Sequence, residues 1–219
     1  VGEEDASLYE KFLESHDIDF ELILVPGKTR SNKTINDPIQ GTTTHIRERG
    51  FDLPESSLGE LRNMMEDTIR DSDIAVFSGS LPPNVDDGTY CDLLNKCKEK
   101  NVRTVLDSSG KALIQGIKAN PFLIKPNLTE LSQILDQSDL TDLSFSNVRE
   151  DCDRIINHAK PLINEELKII LITLGQNGAI CLTDDLAIHG SVEVKNVKDT
   201  VGSVDAFLAG FLTPFSRDQ

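Results

Sequence analysis

Between residues 56 and 173 the chain repeats one pattern: a stretch with helical spacing, a short apolar run, then a polar tail. The helical stretches are 56–70, 86–99, 110–118, 128–136 and 146–164. The apolar runs are Ile74-Ala75-Val76-Phe77, Val102-Arg103-Thr104-Val105-Leu106, Phe122-Leu123-Ile124 and Lys168–Thr173. Strand and helix in alternation specify a parallel sheet with right-handed crossovers, because parallel neighbours need a long connection and a helix supplies it. Ligands of such sheets bind beyond the carboxyl ends of the strands. Polar residues collect there in this chain: Ser78-Gly79-Ser80-Leu81-Pro82-Pro83, Asp107-Ser108-Ser109-Gly110, Lys125-Pro126-Asn127 and Thr173-Leu174-Gly175.

The flanks read differently. Residues 5–15 have helical spacing with Leu8, Phe12 and Leu13 apolar, and Phe20–Val25 is strand-like. The pieces 30–35 and 42–47 are rich in Thr and Asn and are separated by Asn36-Asp37-Pro38 and Gly41. That composition suits a thin sheet with one wet face. Ser56 is placed to cap the helix that carries Leu58, Leu61, Met65 and Ile69. Gln176-Asn177-Gly178 reads as a two-residue hairpin turn into Ala179–Thr183, and the last helix starts near Val204. The expected fold is α/β: a three-layer, mostly parallel central sheet flanked by helices, with a small β-sheet in segment 20–50.

Charge restricts the partners. The chain has 219 residues with 22 Lys and Arg against 37 Asp and Glu, a net charge of −15. Nucleic acid and anionic membrane surfaces would be repelled, while a small anion needs a local positive site. The longest purely apolar run, Ile169–Ile172, is far below the ~20 residues that span a bilayer. The start, Val1-Gly2-Glu3-Glu4-Asp5, is no secretory signal and lacks an initiator Met. Cys91, Cys97, Cys152 and Cys181 show no zinc spacing and read as reduced thiols of a cytoplasmic protein. His16, His45, His158 and His189 are scattered, so no metal cage is expected from them.

Two segments can carry chemistry. Asp199-Thr200-Val201-Gly202-Ser203-Val204-Asp205 enters the apolar helix Ala206–Leu212. A glycine turn into a helix aims N–H groups and the positive dipole end at one point, which suits phosphate. Asp205 in the first turn is either a helix cap or a carboxylate that accepts a substrate hydroxyl proton. In Lys125-Pro126-Asn127-Leu128-Thr129-Glu130, Asn127 and Glu130 form either a capping box or a site that orders hydrated Mg²⁺, with Lys125 beside nucleotide phosphates.

These runs, with Gly178, resemble in order and spacing the ribokinase-like (PfkB) carbohydrate kinases over about residues 5–212. The hexose-phosphate subgroup, such as 1-phosphofructokinase and tagatose-6-phosphate kinase, is the most similar, through Ser78–Pro83 and Thr29-Arg30-Ser31-Asn32-Lys33. The resemblance implies one ribokinase-like domain over 1–219, with 20–50 as its lid, and ATP-dependent phosphoryl transfer to a sugar hydroxyl. It implies Asp205 as the base and the amides of Gly202, Ser203, Val204 and Asp205 as the anion hole. Lys125, Thr173, Gly175 and Gly178 fall where the family holds ATP, and Asn127, Glu130 and Asp107 where it organises Mg²⁺. Arg30, Asn32, Lys33 and Ser80 fall on the side of the sugar phosphate. Arg30 could equally be a solvated strand charge, and Asp107 the cap of the next turn. The lid is also where a homodimer would form.

Two departures qualify the expectation. The family has glycine where Val204 stands, and a β-branched residue is poorly suited there if the position needs unusual backbone angles. Family members are also longer at both ends, so the chain reads as truncated or degenerate. The expected function is a kinase converting a fructose monophosphate to fructose 1,6-bisphosphate. The alternatives are a non-catalytic sugar-phosphate or nucleotide binder, or a family kinase for another sugar or nucleoside.

Overall fold

The computed structural model describes residues 1–37, 39–40, 42–71, 73–194 and 201–217. They form two compact units, a smaller one of Val1–Thr68 with Leu81–Asp86 and a larger one of Ile69–Ser80 with Asp87–Gln219.

The smaller unit holds α1 (Ala6–Glu14), β1 (Asn32–Asp37), β2 (Thr42–Arg47) and α2 (Glu55–Thr68). β1 and β2 pair antiparallel from Asn32↔Arg47 to Asp37↔Thr42, as their Thr- and Asn-rich sequence leads one to expect. Ile35 and Ile46 share one face of this ribbon and stay exposed. Phe20–Val25 does not become a strand. A strand needs a neighbour along its length, and the bridge here is Gly2↔Val25, flanked by hydrogen bonds between Val1–Glu3 and Ile23–Val25. α2 begins one residue earlier than expected, so Ser56 lies inside the first turn rather than capping it.

The larger unit runs β3 (Ile74–Ser78), α3 (Thr89–Lys98), β4 (Arg103–Asp107), α4 (Gly110–Gly116), β5 (Leu123–Ile124), α5 (Leu128–Leu135), α6 (Val148–Ala159), β6 (Ile169–Thr173), β7 (Ala179–Leu182), β8 (Ala187–Gly190) and α7 (Ser203–Arg217). The strands lie side by side in chain order, β3 to β6 parallel and β7 and β8 antiparallel. Every parallel crossover therefore steps in the same direction, and right-handed crossovers put α3 to α6 on one face. Leu106, Ile124, Ile170 and Ile172 fill that face and are fully buried. Strand side chains alternate, so Val105, Leu123, Ile169 and Leu171 point the other way, onto Leu208, Phe211, Leu212 and Phe215 of α7. Each such burial removes about 1.5–3 kcal/mol worth of apolar side chain from water.

Three details depart from the sequence reading. β3 is only half-buried despite its apolar run: it is an edge strand, and Val76, in register with Val105 on the α7 face, is 46% exposed. The connection from β6 to β7 is five residues, Leu174–Gly178, because Thr173 pairs with Ala179. The two-residue Asn-Gly turn does not form, since Leu174 buries its side chain and its N–H bonds the Gly178 carbonyl at 2.8 Å. β8 was not anticipated; its run of four residues is too short to register as a pattern.

Candidate active site

The loops after β3, β4, β5 and β6 emerge at one edge of the sheet and are stitched by main-chain hydrogen bonds. Gly79 N–H donates to the Asp107 carbonyl at 3.0 Å, Lys125 N–H to Leu106 at 3.2 Å, and Thr173 N–H to Pro126 at 3.0 Å. The polar tails expected to collect beyond the strands are thus assembled.

A cluster of charges occupies this edge. Lys125 is 3% exposed, and its Nζ lies 2.9 Å from Asp107 Oδ1. Burial raises the Asp107 pKa above its ordinary value; the hydrogen bond and charge of Lys125 oppose this, and the charge of Asp205 adds to it. Burial also raises Glu130, with the Asn127 N–H and Lys125 opposing and Asp107 adding. Asp107 and Lys125 thus act on Glu130, and Asp205 acts on Asp107. Asn127 and Glu130 form the capping box of α5: Asn127 Oδ1 accepts from Glu130 N–H at 2.9 Å, and Glu130 Oε2 accepts from Asn127 N–H at 2.8 Å. This box leaves Glu130 Oε1 outside its two bonds.

α7 starts at the turn made by Gly202, whose φ is +75°. That left-handed angle suits glycine and strains any residue with a Cβ. Ala206 N–H is bonded back to the Gly202 carbonyl at 2.9 Å, and the positive end of the helix dipole falls at this first turn. Val204 is an ordinary helical residue outside the positive-φ set, and it is 43% exposed. The feared backbone conflict at Val204 does not arise, because the demand for an unusual angle falls on Gly202. Asp199 and Thr200, the start of this motif, lie outside the described residues.

Thr173 ends β6 and bridges to Asn127, which brings the β5 and β6 tails together. Gly175 and Gly178 bound the turn that follows, with φ of +60° and +91°. A Cβ on Gly178 would lie 2.1 Å from the Gly190 carbonyl, so β8 is packed directly against this turn. His189 Nε2 adds a 2.7 Å bond to the Asn177 carbonyl. Ser80 follows Gly79 at the end of β3. Arg30, Asn32 and Lys33 belong to the smaller unit and are exposed. Asn32 and Lys33 are consecutive on β1 and so face opposite sides of the ribbon, which means they cannot serve one ligand from the same face.

Sequence reasoning missed Ser108, Tyr90 and His189. Ser108 stood within a polar tail, whereas Tyr90 and His189 carried no local signal, since their partners are 11 and 12 residues away.

The family comparison decides the assignment of this arrangement. The sequence model of the pfkB family of carbohydrate kinases matches residues 1–219. The chain belongs to the pfkB family. It is 26% identical over 217 residues to the 1-phosphofructokinase of Bacillus subtilis, covering 99% of this chain and 67% of that protein. It is 30% identical over 206 residues to the 1-phosphofructokinase of Borreliella burgdorferi, covering 94% and 62% respectively. A tagatose-6-phosphate kinase of Staphylococcus epidermidis is 29% identical over 182 residues, covering 82% and 56%. The chain thus spans about two thirds or less of these relatives. In fold it is similar to phosphofructokinase-2 from Escherichia coli, solved in complex with substrates and products, with a TM-score of 0.80, 24% identity, and coverage of all of this chain and 68% of that one. The ribokinase-like fold inferred from the sequence is the observed one.

Proposed function

We propose that this chain works as an ATP-dependent kinase of a ketohexose phosphate, converting fructose 1-phosphate or fructose 6-phosphate to fructose 1,6-bisphosphate. The observation that carries this reading is Asp205, held in the first turn of α7 within electrostatic reach of Asp107, which is itself paired with the buried Lys125. The substrate hydroxyl oxygen attacks the γ-phosphorus of ATP, the bond to the bridging β–γ oxygen breaks, and ADP leaves. Asp205 takes the hydroxyl proton, and the amides at the start of α7 receive the charge of the transferred phosphoryl group. Thr173, Gly175 and Gly178 border the nucleotide, while Ser80 serves the sugar phosphate.

Mg²⁺ fits the residues present. It takes oxygen ligands and keeps several waters, so one or two carboxylates suffice. Glu130 Oε1 and Asp107 Oδ2 are the carboxylate oxygens not engaged by the capping box or by Lys125 Nζ. These two residues would hold the ion, which neutralises phosphate charge when bound. The four free cysteines support a cytoplasmic setting. Among the described residues no helix is long and apolar enough to cross a membrane.

A coupled ADP-release assay with fructose 1-phosphate, fructose 6-phosphate and tagatose 6-phosphate tests the reading. Asp205→Asn should lower kcat by about 10²–10⁴-fold, the usual range for a lost general base. Turnover that survives this change removes Asp205 from the role. ATP binding by calorimetry without turnover of any sugar favours a non-catalytic binder, a reading that the exposed Val204 side chain beside the amides supports.

A further inference from the structure

The carbonyl of Gly79 accepts two hydroxyl hydrogen bonds, from Tyr90 Oη at 3.0 Å and from Ser108 Oγ at 2.9 Å. Its own N–H donates to the Asp107 carbonyl at 3.0 Å. Through its two main-chain groups, one residue in the turn after β3 is thus tied to Asp107 and Ser108 at the end of β4, and again to α3. Both hydroxyl-bearing residues are buried, Tyr90 at 8% exposure and Ser108 at 6%. The Tyr90 ring stands edge-on to Phe77, with centroids 6.1 Å apart at 73°, so its hydroxyl has a fixed origin. Burial, and then the charge of Asp107, raise the Tyr90 pKa, which keeps the phenol a proton donor in the neutral range.

One donor satisfies a carbonyl; the second uses its other lone pair and exceeds what folding requires. The excess falls where apolar packing is thin. β3 is an edge strand, Val76 before the turn is 46% exposed, and Gly79 and Ser80 are themselves exposed. Position in this turn therefore rests on polar bonds. The turn joins two things that the proposed reaction must hold in register. Ser80 lies at its end, where the chain passes from the larger unit into the smaller at Leu81. Asp107, tied to it through Gly79, carries the carboxylate paired with Lys125.

We propose that Tyr90 and Ser108 are positioning residues that clamp the Gly79 carbonyl and so fix Ser80, on the sugar-phosphate side, relative to the Asp107–Lys125 pair on the phosphoryl side. This rests on the kinase reading above. Neither side chain touches the reacting atoms; they act through the main chain of Gly79 and Ser80.

The test uses Tyr90→Phe, Ser108→Ala, the double variant and Ser108→Thr in the full chain. Tyr90→Phe keeps the ring against Phe77 and deletes only the hydroxyl. Each single variant leaves one donor on the carbonyl, so each should raise KM for the sugar phosphate by about threefold or less. The double variant leaves none and should raise it by about tenfold or more, beyond the product of the singles. KM for ATP should stay within twofold, and Ser108→Thr should restore the unmodified values. Hydrogen exchange of the 77–81 amides should quicken in the double variant while β4 to β6 keep their protection. A double variant with unchanged exchange in the turn overturns the clamp. A loosened turn with unchanged sugar-phosphate KM overturns the positioning role, as does a parallel loss of both KM values and of protection throughout the sheet. Failure of the kinase reading shows separately, on the unmodified chain, as calorimetric absence of both ATP and sugar-phosphate binding; the positioning role then falls with it.

Discussion

At the scale of single residues, the helix start separates two demands that the sequence had merged at Val204. The unusual backbone angle belongs to Gly202, and Val204 contributes only a side chain beside the first-turn amides. Val204→Gly should therefore relieve no strain. It should lower the melting temperature by a few degrees, since glycine in a helix costs about 1 kcal/mol, while opening the amides to phosphate and raising kcat/KM by about 10-fold. Thermal melts and the ADP-release assay check both halves; a gain in stability would place the conflict back at Val204. Glu130 supplies a second residue-scale prediction. Burial raises its pKa above the ordinary 4.5, so the folded chain holds the proton longer than the unfolded chain does. Stability is then lost as pH rises from the ordinary value through the raised one, and the loss is constant above it. Gln keeps an acceptor for the Asn127 N–H but carries no charge. Glu130→Gln should melt with the unmodified chain near pH 4 and a few degrees above it at pH 7. A gap that closes with rising pH would contradict burial as the dominant cause.

Elements were legible where one strand and one helix decide the matter alone. β4 and β6 show as apolar runs because both of their faces are buried, and α5 shows through Asn127 and Glu130, whose capping bonds are local. β3 is less buried than its apolar run suggests, because Ile74–Phe77 looks the same whether or not a neighbouring strand covers its outer edge. The turn after β6 was misjudged because Asn177-Gly178 signals a hairpin, whereas the buried Leu174 imposed five residues. The site residues on strand tails could be read from polar punctuation, but the pairing of Lys125 with Asp107 could not, since it joins two different crossovers. The β6–β7 turn also carries an element-scale prediction. Gly178 combines φ of +91° with a Cβ position 2.1 Å from the Gly190 main chain, so relief would require β8 to move. Gly178→Ala should cost more than about 2 kcal/mol, read as a lowered urea midpoint at unchanged slope. Gly175→Ala, where a Cβ meets open space, should cost less despite its own positive φ. Equal losses would mean that backbone angle alone, without the contact to β8, sets the penalty.

For the whole molecule the problem is sign. The chain carries −15, and both proposed ligands are anions. The sequence placed Lys125 beside nucleotide phosphates, but its charge is taken up at 2.9 Å by Asp107, which also feels Asp205 and acts on Glu130. The strand-end cluster, three carboxylates and one ammonium, is therefore an acidic surface to an approaching nucleotide. Repulsion from charges beyond about 10 Å is screened at 0.1 M salt, so the local cluster dominates under ordinary conditions. Helix-terminal amides offset only about half a charge. On the proposed reading, a divalent cation bound with ATP would offset this repulsion, so ATP binding should depend on it. Calorimetry at 0.15 M salt should find ATP binding at least tenfold weaker with excess EDTA than with Mg²⁺. Lowering the salt should widen that difference, because the acidic field reaches further. Asp107→Asn should narrow it, since the freed Lys125 ammonium then faces phosphate. If ATP binds equally well in EDTA, the positive site is built by the protein after all, and the pairing of Lys125 with Asp107 must give way when the nucleotide arrives.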